Sequence, residues 1–282
     1  GMCNLSGAGA DLMLARLAAR ENVPLGVSTV ASTAMEPLIE AAEGNAWFQL
    51  YFSGDGVGTF KLVKRAKAAG YQTIVLTVDV AEVGRRPREL RHGFTMPFRI
   101  GPKQFVDFAL HPRWSLTTLF KGRPEMANFD MPGYFFDRTE SRARANWDTL
   151  AQLRDMWPGN LVVKGVLDAE DAVMLRDAGV DAVQVSSHGA RQLDSAPSPI
   201  SVLPAIRDAV GPDFPLFFDS GLRSGEDVVK VYDQGAAFTF LGRILQFAIA
   251  ARGEGGLQRL WAVSRDEPRN TLAQIGALSF PP

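Results

Sequence analysis

The chain has 282 residues, 46% hydrophobic and 22% charged, enough to bury a large core as one α/β domain or two small ones. A formal net charge of −1 gives no overall attraction to nucleic acid or to anionic lipid. A single cysteine, Cys3, excludes an internal disulfide, and with three His it makes no cluster at zinc-ligand spacing. Apolar runs stop short of the roughly 18 residues a membrane span needs. Gly1 to Ala10 lacks the basic start and apolar centre of a signal peptide, so a soluble or peripheral globular protein is expected.

In chain order, Asp11 to Arg20 is rich in Ala and Leu and reads as a helix. Val23 to Thr29 reads as a strand, Met35 to Glu43 as a helix and Trp47 to Phe52 as the next strand. A helix over Phe60 to Ala69, stopped by Gly70, leads to the β-branched strand Gln72 to Val80. Leu161 to Val166 is the fourth strand, and its helix over Ala169 to Asp177 has Asp168 as cap and Gly179 as stop. Strands at Ala182 to Ser186, Phe214 to Phe218 and Ala237 to Leu241 follow, with helices around Val202 to Val210 and Glu226 to Asp233. Helical sequence fills most of the remainder. Repeated βα units indicate a parallel sheet. The closest regular architecture is the (β/α)8 TIM barrel, here lacking its N-terminal segment and first strand, because Gly1 to Ala10 occupies the place of a loop after that strand. A single domain over residues 1–282 is expected, with one long insertion at about 81–157.

Within that insertion Arg85 to Arg91 is basic. Phe98 to Arg123 mixes Phe105, Phe108, Trp114 and Phe120 with Arg99, Lys103, Arg113, Lys121 and Arg123. Such a mixture suits a membrane interface or a lid packed on its own barrel. His92, His111 and the Trp at 147, 157 and 261 read as surface or packing residues, and Cys3 as a small apolar one.

In a βα barrel the chemistry sits at the carboxyl ends of the strands. Those ends carry Ser28 and Thr29, Gln49 and Tyr51, Thr77 and Asp79, Lys164, Ser186 to His188, Asp219 to Gly221, and Gly242 with Arg243. His188 and Arg191 stand together just past one of them. An imidazole takes a proton near neutral pH, and a guanidinium grips a carboxylate through two parallel hydrogen bonds. The glycines and arginines of Asp219 to Gly225 and Leu241 to Arg243 suit a phosphate, held by backbone amides and helix starts.

The run Ser186-Ser187-His188-Gly189-Ala190-Arg191-Gln192-Leu193-Asp194, with Lys164-Gly165, Asp219 to Arg223, Leu241 to Arg243 and Trp47 to Tyr51, resembles the FMN-dependent L-2-hydroxy acid oxidases and dehydrogenases. The match runs from Gly1 to about Gly276. Leu110 to Leu116 and Arg269 to Gly276 are most similar to the mandelate-type and bacterial lactate-type members. The resemblance implies FMN as cofactor and oxidation of a mandelate- or lactate-like L-2-hydroxy acid to the 2-oxo acid. Electrons then pass to oxygen, a quinone or a cytochrome. By the same resemblance His188 is the general base, Asp79 orients it, Tyr51 lies near the substrate oxygen, and Arg86 and Arg191 hold the substrate carboxylate. Ser28, Gln49, Thr77 and Lys164 surround the flavin ring. Asp219, Gly221, Arg223, Gly242 and Arg243 hold the ribityl phosphate. A homotetramer in the cytoplasm, or peripheral on the inner membrane, is implied.

Three departures stand out. Ser187 and Ala190 replace the Asn and Gly of most members, and the small Val30 leaves room for an aryl side chain. The family has a first strand and a substrate-contacting Tyr before the position of Gly1, so an FMN-binding fragment without turnover is the alternative.

Overall fold

The computed structural model describes residues 1–282 apart from 53, 55, 94–100, 123, 132–144, 278 and 281–282. Phe98, Arg99 and Arg123 lie outside the described residues. Seven parallel strands hydrogen-bond in sequence order: β1 (Leu25–Ser28), β2 (Ala46–Tyr51), β3 (Thr73–Thr77), β4 (Asn160–Val166), β5 (Ala182–Val185), β6 (Leu216–Phe218) and β7 (Phe238–Thr239). A helix or helical excursion follows each strand, as parallel pairing requires. Among the described residues β1 and β7 are not paired with each other, so the structure is a seven-stranded parallel α/β sheet.

All seven expected strands form, and prolines shorten two of them. Val23 to Thr29 begins only at Leu25, because Pro24 has no N–H to donate; Leu25 N donates to Asn45 O at 2.9 Å. Pro215 likewise delays β6 to Leu216. The helix after β4 spans Ala169–Asp177, capped by Asp168, whose carboxylate accepts from Glu170 N and Asp171 N.

The alternation of β2 shows how the layers divide. Ala46, Phe48 and Leu50 are fully buried toward the helices, whereas Trp47, Gln49 and Tyr51 face the other side of the sheet. The main core lies between strands and helices, built from Phe48, Leu50, Ile74, Leu76, Leu161, Val163, Val183 and Leu203 among others. Each such side chain, fully withdrawn from water, contributes about 1.5–3 kcal/mol. The opposite face carries an apolar cluster: Trp47 lies 5.5 Å from Phe217 and 5.4 Å from Phe240 between ring centroids, against Val75, Val162 and Ala182. The carboxyl end of that face is polar.

The long insertion needs one correction. Its last part, Trp147–Met156, is an ordinary helix between β3 and β4, capped by Asn146 and packed through the buried Leu150 and Leu153. The excursion proper therefore ends near residue 146. Its described part holds short helices at Pro87–Arg91, Pro102–Leu110 and Pro112–Lys121 and a single turn at Ala127–Phe129. Asn128, fully buried, fastens this excursion to β1: its amide donates to Ser28 O (3.1 Å) and Thr29 O (3.3 Å), and its oxygen accepts from Met35 N (2.8 Å).

Asp168→Ala removes a cap bonded to two backbone amides and is expected to cost about 1 kcal/mol of stability. A lower urea midpoint with unchanged near-ultraviolet circular dichroism would show it; an unchanged midpoint would mean the cap carries no net stability.

Candidate active site

Lys164 stands on β4 where the strand bulges, with the register shifting between Lys164 and Val166. Gly165 makes the bulge possible. Its φ is +102°, and a Cβ there would lie 2.6 Å from the Asp79 Cβ. With no side chain at 165, Asp79 at the end of β3 comes directly over β4 and takes Lys164 Nζ at 3.3 Å. The other carboxylate oxygen of Asp79 accepts from His188 Nδ1 at 2.8 Å. On the far side of the ring, Tyr51 Oη lies 3.4 Å from His188 Nε2.

The charges within this group support one another. Burial pushes the Asp79 carboxyl up, but the hydrogen bond from His188 and the charge of Lys164 outweigh it, and the group sits below its ordinary 3.8. Burial pushes the Lys164 ammonium down, and the carboxylates of Asp219 and Asp79 outweigh that, so Lys164 stays protonated. Asp219 lies 3.7 Å from Lys164 Nζ and accepts from Ser186 Oγ, Ser220 Oγ and Gln184 Nε2, each at 2.6 Å.

The turn that carries His188 is strained and held from outside. His188, Gly189 and Ala190 have φ of 55°, 65° and 59°, a region costly for side chains other than Gly. Ala190 bears that cost at one of the positions where the sequence departs from the family pattern. Ser220 Oγ accepts from Gly189 N at 2.8 Å, Ser186 Oγ accepts from His188 N at 3.0 Å, and Arg243 Nη2 donates to Gly189 O at 2.9 Å. The turn is therefore fixed by residues from the ends of β5, β6 and β7.

A row of polar groups crosses the neighbouring strands. Ser28 Oγ donates to Gln49 Oε1 (2.9 Å), and Gln49 Nε2 donates to Thr77 Oγ1 (2.9 Å). Ser28, Gln49, Thr77 and Lys164 line a cavity of about 510 Å³ that also reaches Tyr51, His188 and Asp219. A second cavity of about 760 Å³ shares Tyr51, Lys164, His188 and Asp219 and adds Arg86, Arg191, Gly221, Arg223, Gly242 and Arg243. Every residue expected at the site thus lines one or both cavities, except Asp79, which stands behind His188 and Lys164.

These groups fit a flavin mononucleotide. The first cavity offers a flat polar row with a protonated amine beside it. At the other end, Arg223 and Arg243 form no ion pair among the described residues. Burial first, then the charges of Arg223 and Arg191, lowers the Arg243 guanidinium from its ordinary value. Two cations that act on each other, offset only in part by Asp219 in the same cavity, suit a phosphate. Gly221, with φ of +91°, and Gly242 present bare backbone there.

Sequence reasoning missed several contributors. Gln184 sits on a strand that otherwise reads as apolar, and Asn128 lies in the insertion. Glu89 pairs with Arg191 at 3.2 Å, and Gln192 accepts from Gly84 N at 3.0 Å. Of these, only Gly84 offered a signal, since a Gly between Val83 and Arg85 implies a close approach. A Cβ there would lie 2.4 Å from Arg191 O.

A strand-end constellation of this kind, on a parallel α/β sheet with a cavity lined by a polar row and a buried lysine, points to a flavin-dependent oxidoreductase. The chain belongs to the FMN-dependent dehydrogenase family, whose model matches residues 1–281. It is 40% identical over 274 residues to (S)-mandelate dehydrogenase of Pseudomonas putida, covering 94% of this chain and 69% of that one. It is 36% identical over 286 residues to an L-lactate dehydrogenase of Pseudomonas entomophila strain L48, covering 96% and 73%. Among solved structures, the monotopic membrane protein (S)-mandelate dehydrogenase superposes with a TM-score of 0.90 at 38% identity, over 98% of this chain and 75% of that one. Mandelate oxidase with benzoylformic acid gives 0.81 at 32% identity, over 98% and 72%.

Because the folded Asp79 sits below its ordinary 3.8, its contribution to stability is present above that pH and is lost as pH falls through the folded value. Denaturation midpoints between about pH 2 and pH 5 are expected to fall with acid in the native sequence, and less steeply in Asp79→Asn. Equal slopes would mean that the Asp79 pairings are not formed in solution.

Proposed function

We propose that this chain oxidises an L-2-hydroxy acid to the 2-oxo acid, on seven parallel strands of TIM-barrel type. The observation that carries the reading is His188, held between Asp79 and Tyr51 and sharing a cavity with two arginines. A carboxylate can only accept, so Asp79 fixes the proton of His188 on Nδ1 and leaves Nε2 as the basic nitrogen. Nε2 takes a proton from the substrate's hydroxyl or α-carbon, and the charge of Asp79 stabilises the imidazolium. Arg191 and Arg86 hold the substrate carboxylate, while Tyr51 lies by the reacting oxygen. Ser28, Gln49, Thr77 and Lys164 would hold the flavin ring, with Asp219, Gly221, Arg223, Gly242 and Arg243 at the ribityl phosphate. Bound FMN would supply the acceptor for the two electrons that leave the α-carbon, and the Lys164 ammonium would contribute fixed positive charge to its site. Val30, Val80, Val83 and Met126 make an apolar wall of the second cavity, which favours a mandelate-like side chain.

An anaerobic absorbance spectrum before and after L-mandelate, then L-lactate, tests the reading. Bleaching of the flavin is expected, and bound flavin that stays oxidised with every hydroxy acid overturns it in favour of a non-catalytic fragment. His188→Gln should retain FMN and slow reduction by about 10²- to 10⁴-fold; an unchanged rate would remove His188 from the role of base.

We also propose peripheral membrane contact through the insertion. No helix among the described residues is long and apolar enough to cross a membrane. The helices Pro102–Leu110 and Pro112–Lys121 pack Phe108 on Trp114 at 5.2 Å but leave Leu110, Leu119 and Phe120 exposed by 72%, 76% and 84%. Lys103 and Lys121 flank these apolar residues, a pattern suited to an anionic lipid surface. Sedimentation with anionic phospholipid vesicles is expected, weakened about tenfold or more by Leu119→Ser with Phe120→Ser. Equal sedimentation of both forms would sink the proposal.

A further inference from the structure

We propose that the carboxylate of Glu89 is an internal competitor for the substrate's carboxylate at Arg191, and so sets how tightly this enzyme takes its hydroxy acid. The inference rests on the carboxylate clamp proposed above and adds a residue to it. Glu89 Oε1 lies 3.2 Å from Arg191 Nη1, and its side chain also feels the charge of Arg86. Both arginines line the cavity that reaches His188, and Glu89 lines it with them. The arginine at the centre of the clamp is therefore already engaged by a carboxylate of the chain itself.

Glu89 is held there by its surroundings. It sits on the short helix Pro87–Arg91, where it is the one acid of Arg85 to Arg91 among four arginines. The start of this segment is seated on the turn after His188: Gly84 N donates to Gln192 Oε1 at 3.0 Å, and Gly84 approaches Arg191 O too closely for any side chain. Burial works to raise the Glu89 carboxyl, but a backbone hydrogen bond and the two arginines outweigh it, so the group is ionised at neutral pH. The two side chains are 36% and 33% exposed, which leaves the pair only partly screened.

Two consequences follow for an entering anion. It must share or displace the bond at Nη1, and it meets like charge beside Arg191. Both act against the substrate carboxylate and neither acts against a neutral molecule. Glu89→Gln keeps an oxygen that accepts from Arg191 and removes only the charge. Anion binding should then tighten, whereas a residue that merely oriented Arg191 would leave it unchanged or weakened.

The test is calorimetric titration of the FMN-loaded protein with benzoylformate, a 2-oxo acid that cannot be oxidised further at the α-carbon. Glu89→Gln is expected to bind about three- to tenfold more tightly than the native protein, and Glu89→Asp, which keeps the charge, not to tighten. In an Arg191→Met background the gain should disappear, because the two effects share one partner. If Glu89→Gln binds equally or more weakly while Arg191→Met still weakens binding, the proposal is overturned and the clamp stands. It is overturned in the same way if Glu89→Asp tightens as much as Glu89→Gln, since charge would then not be the cause. If Arg191→Met leaves binding unchanged, or the native protein takes up no benzoylformate, the clamp itself falls and Glu89 with it.

Discussion

The site depends on one charged chain, Lys164 to Asp79 to His188, which ties together β3, β4 and the turn after β5. Partly withdrawn from water, an ammonium or a carboxylate at these strand ends would be costly alone; each is kept by the other. The pairing decides more than its own stability. It orients the His188 ring through Nδ1, keeps Lys164 protonated at the wall of the cavity, and brings Asp219 into the same group through Lys164. All of it requires that position 165 carry no side chain, because a Cβ there would occupy the space of Asp79.

The rest of the structure serves this group at two levels. Below it, the same face of the sheet carries an aromatic cluster around Trp47 and then polar groups at the strand ends, a change visible along β2 alone as Trp47, Gln49 and Tyr51. Above it, the excursion after β3 is fastened at two points. Asn128 satisfies backbone groups at the end of β1, and Gly84 sits on the turn that carries His188. Packing the excursion this way puts Glu89 against Arg191, so the excursion and the proposed carboxylate clamp share one arginine.

Much of this was legible in the residues. Seven short apolar runs spaced by helical sequence specify parallel βα units, since the periods of strand and helix are local and each run carries its own. Most of the polar residues expected at the strand ends line the cavities for the same reason: once a strand is placed, its last residues are too. Strand limits were less legible where proline intervened, at Pro24 and Pro215. Trp147–Met156 reads as part of the insertion because the strand it precedes lies far from β3 in sequence.

By itself, then, the sequence determined the order and kind of the elements and the chemical types gathered at their carboxyl ends, because periodicity and residue identity are properties of the chain. Only the tertiary structure decided which of those groups pair. Asp79 meets His188 across 109 positions and Lys164 across 85, Asn128 meets Ser28 across 100, and Gly84 meets Gln192 across 108. Such pairings depend on strand register, on the bulge at Gly165 and on how the excursion folds back, and these are set by packing between segments distant in the chain.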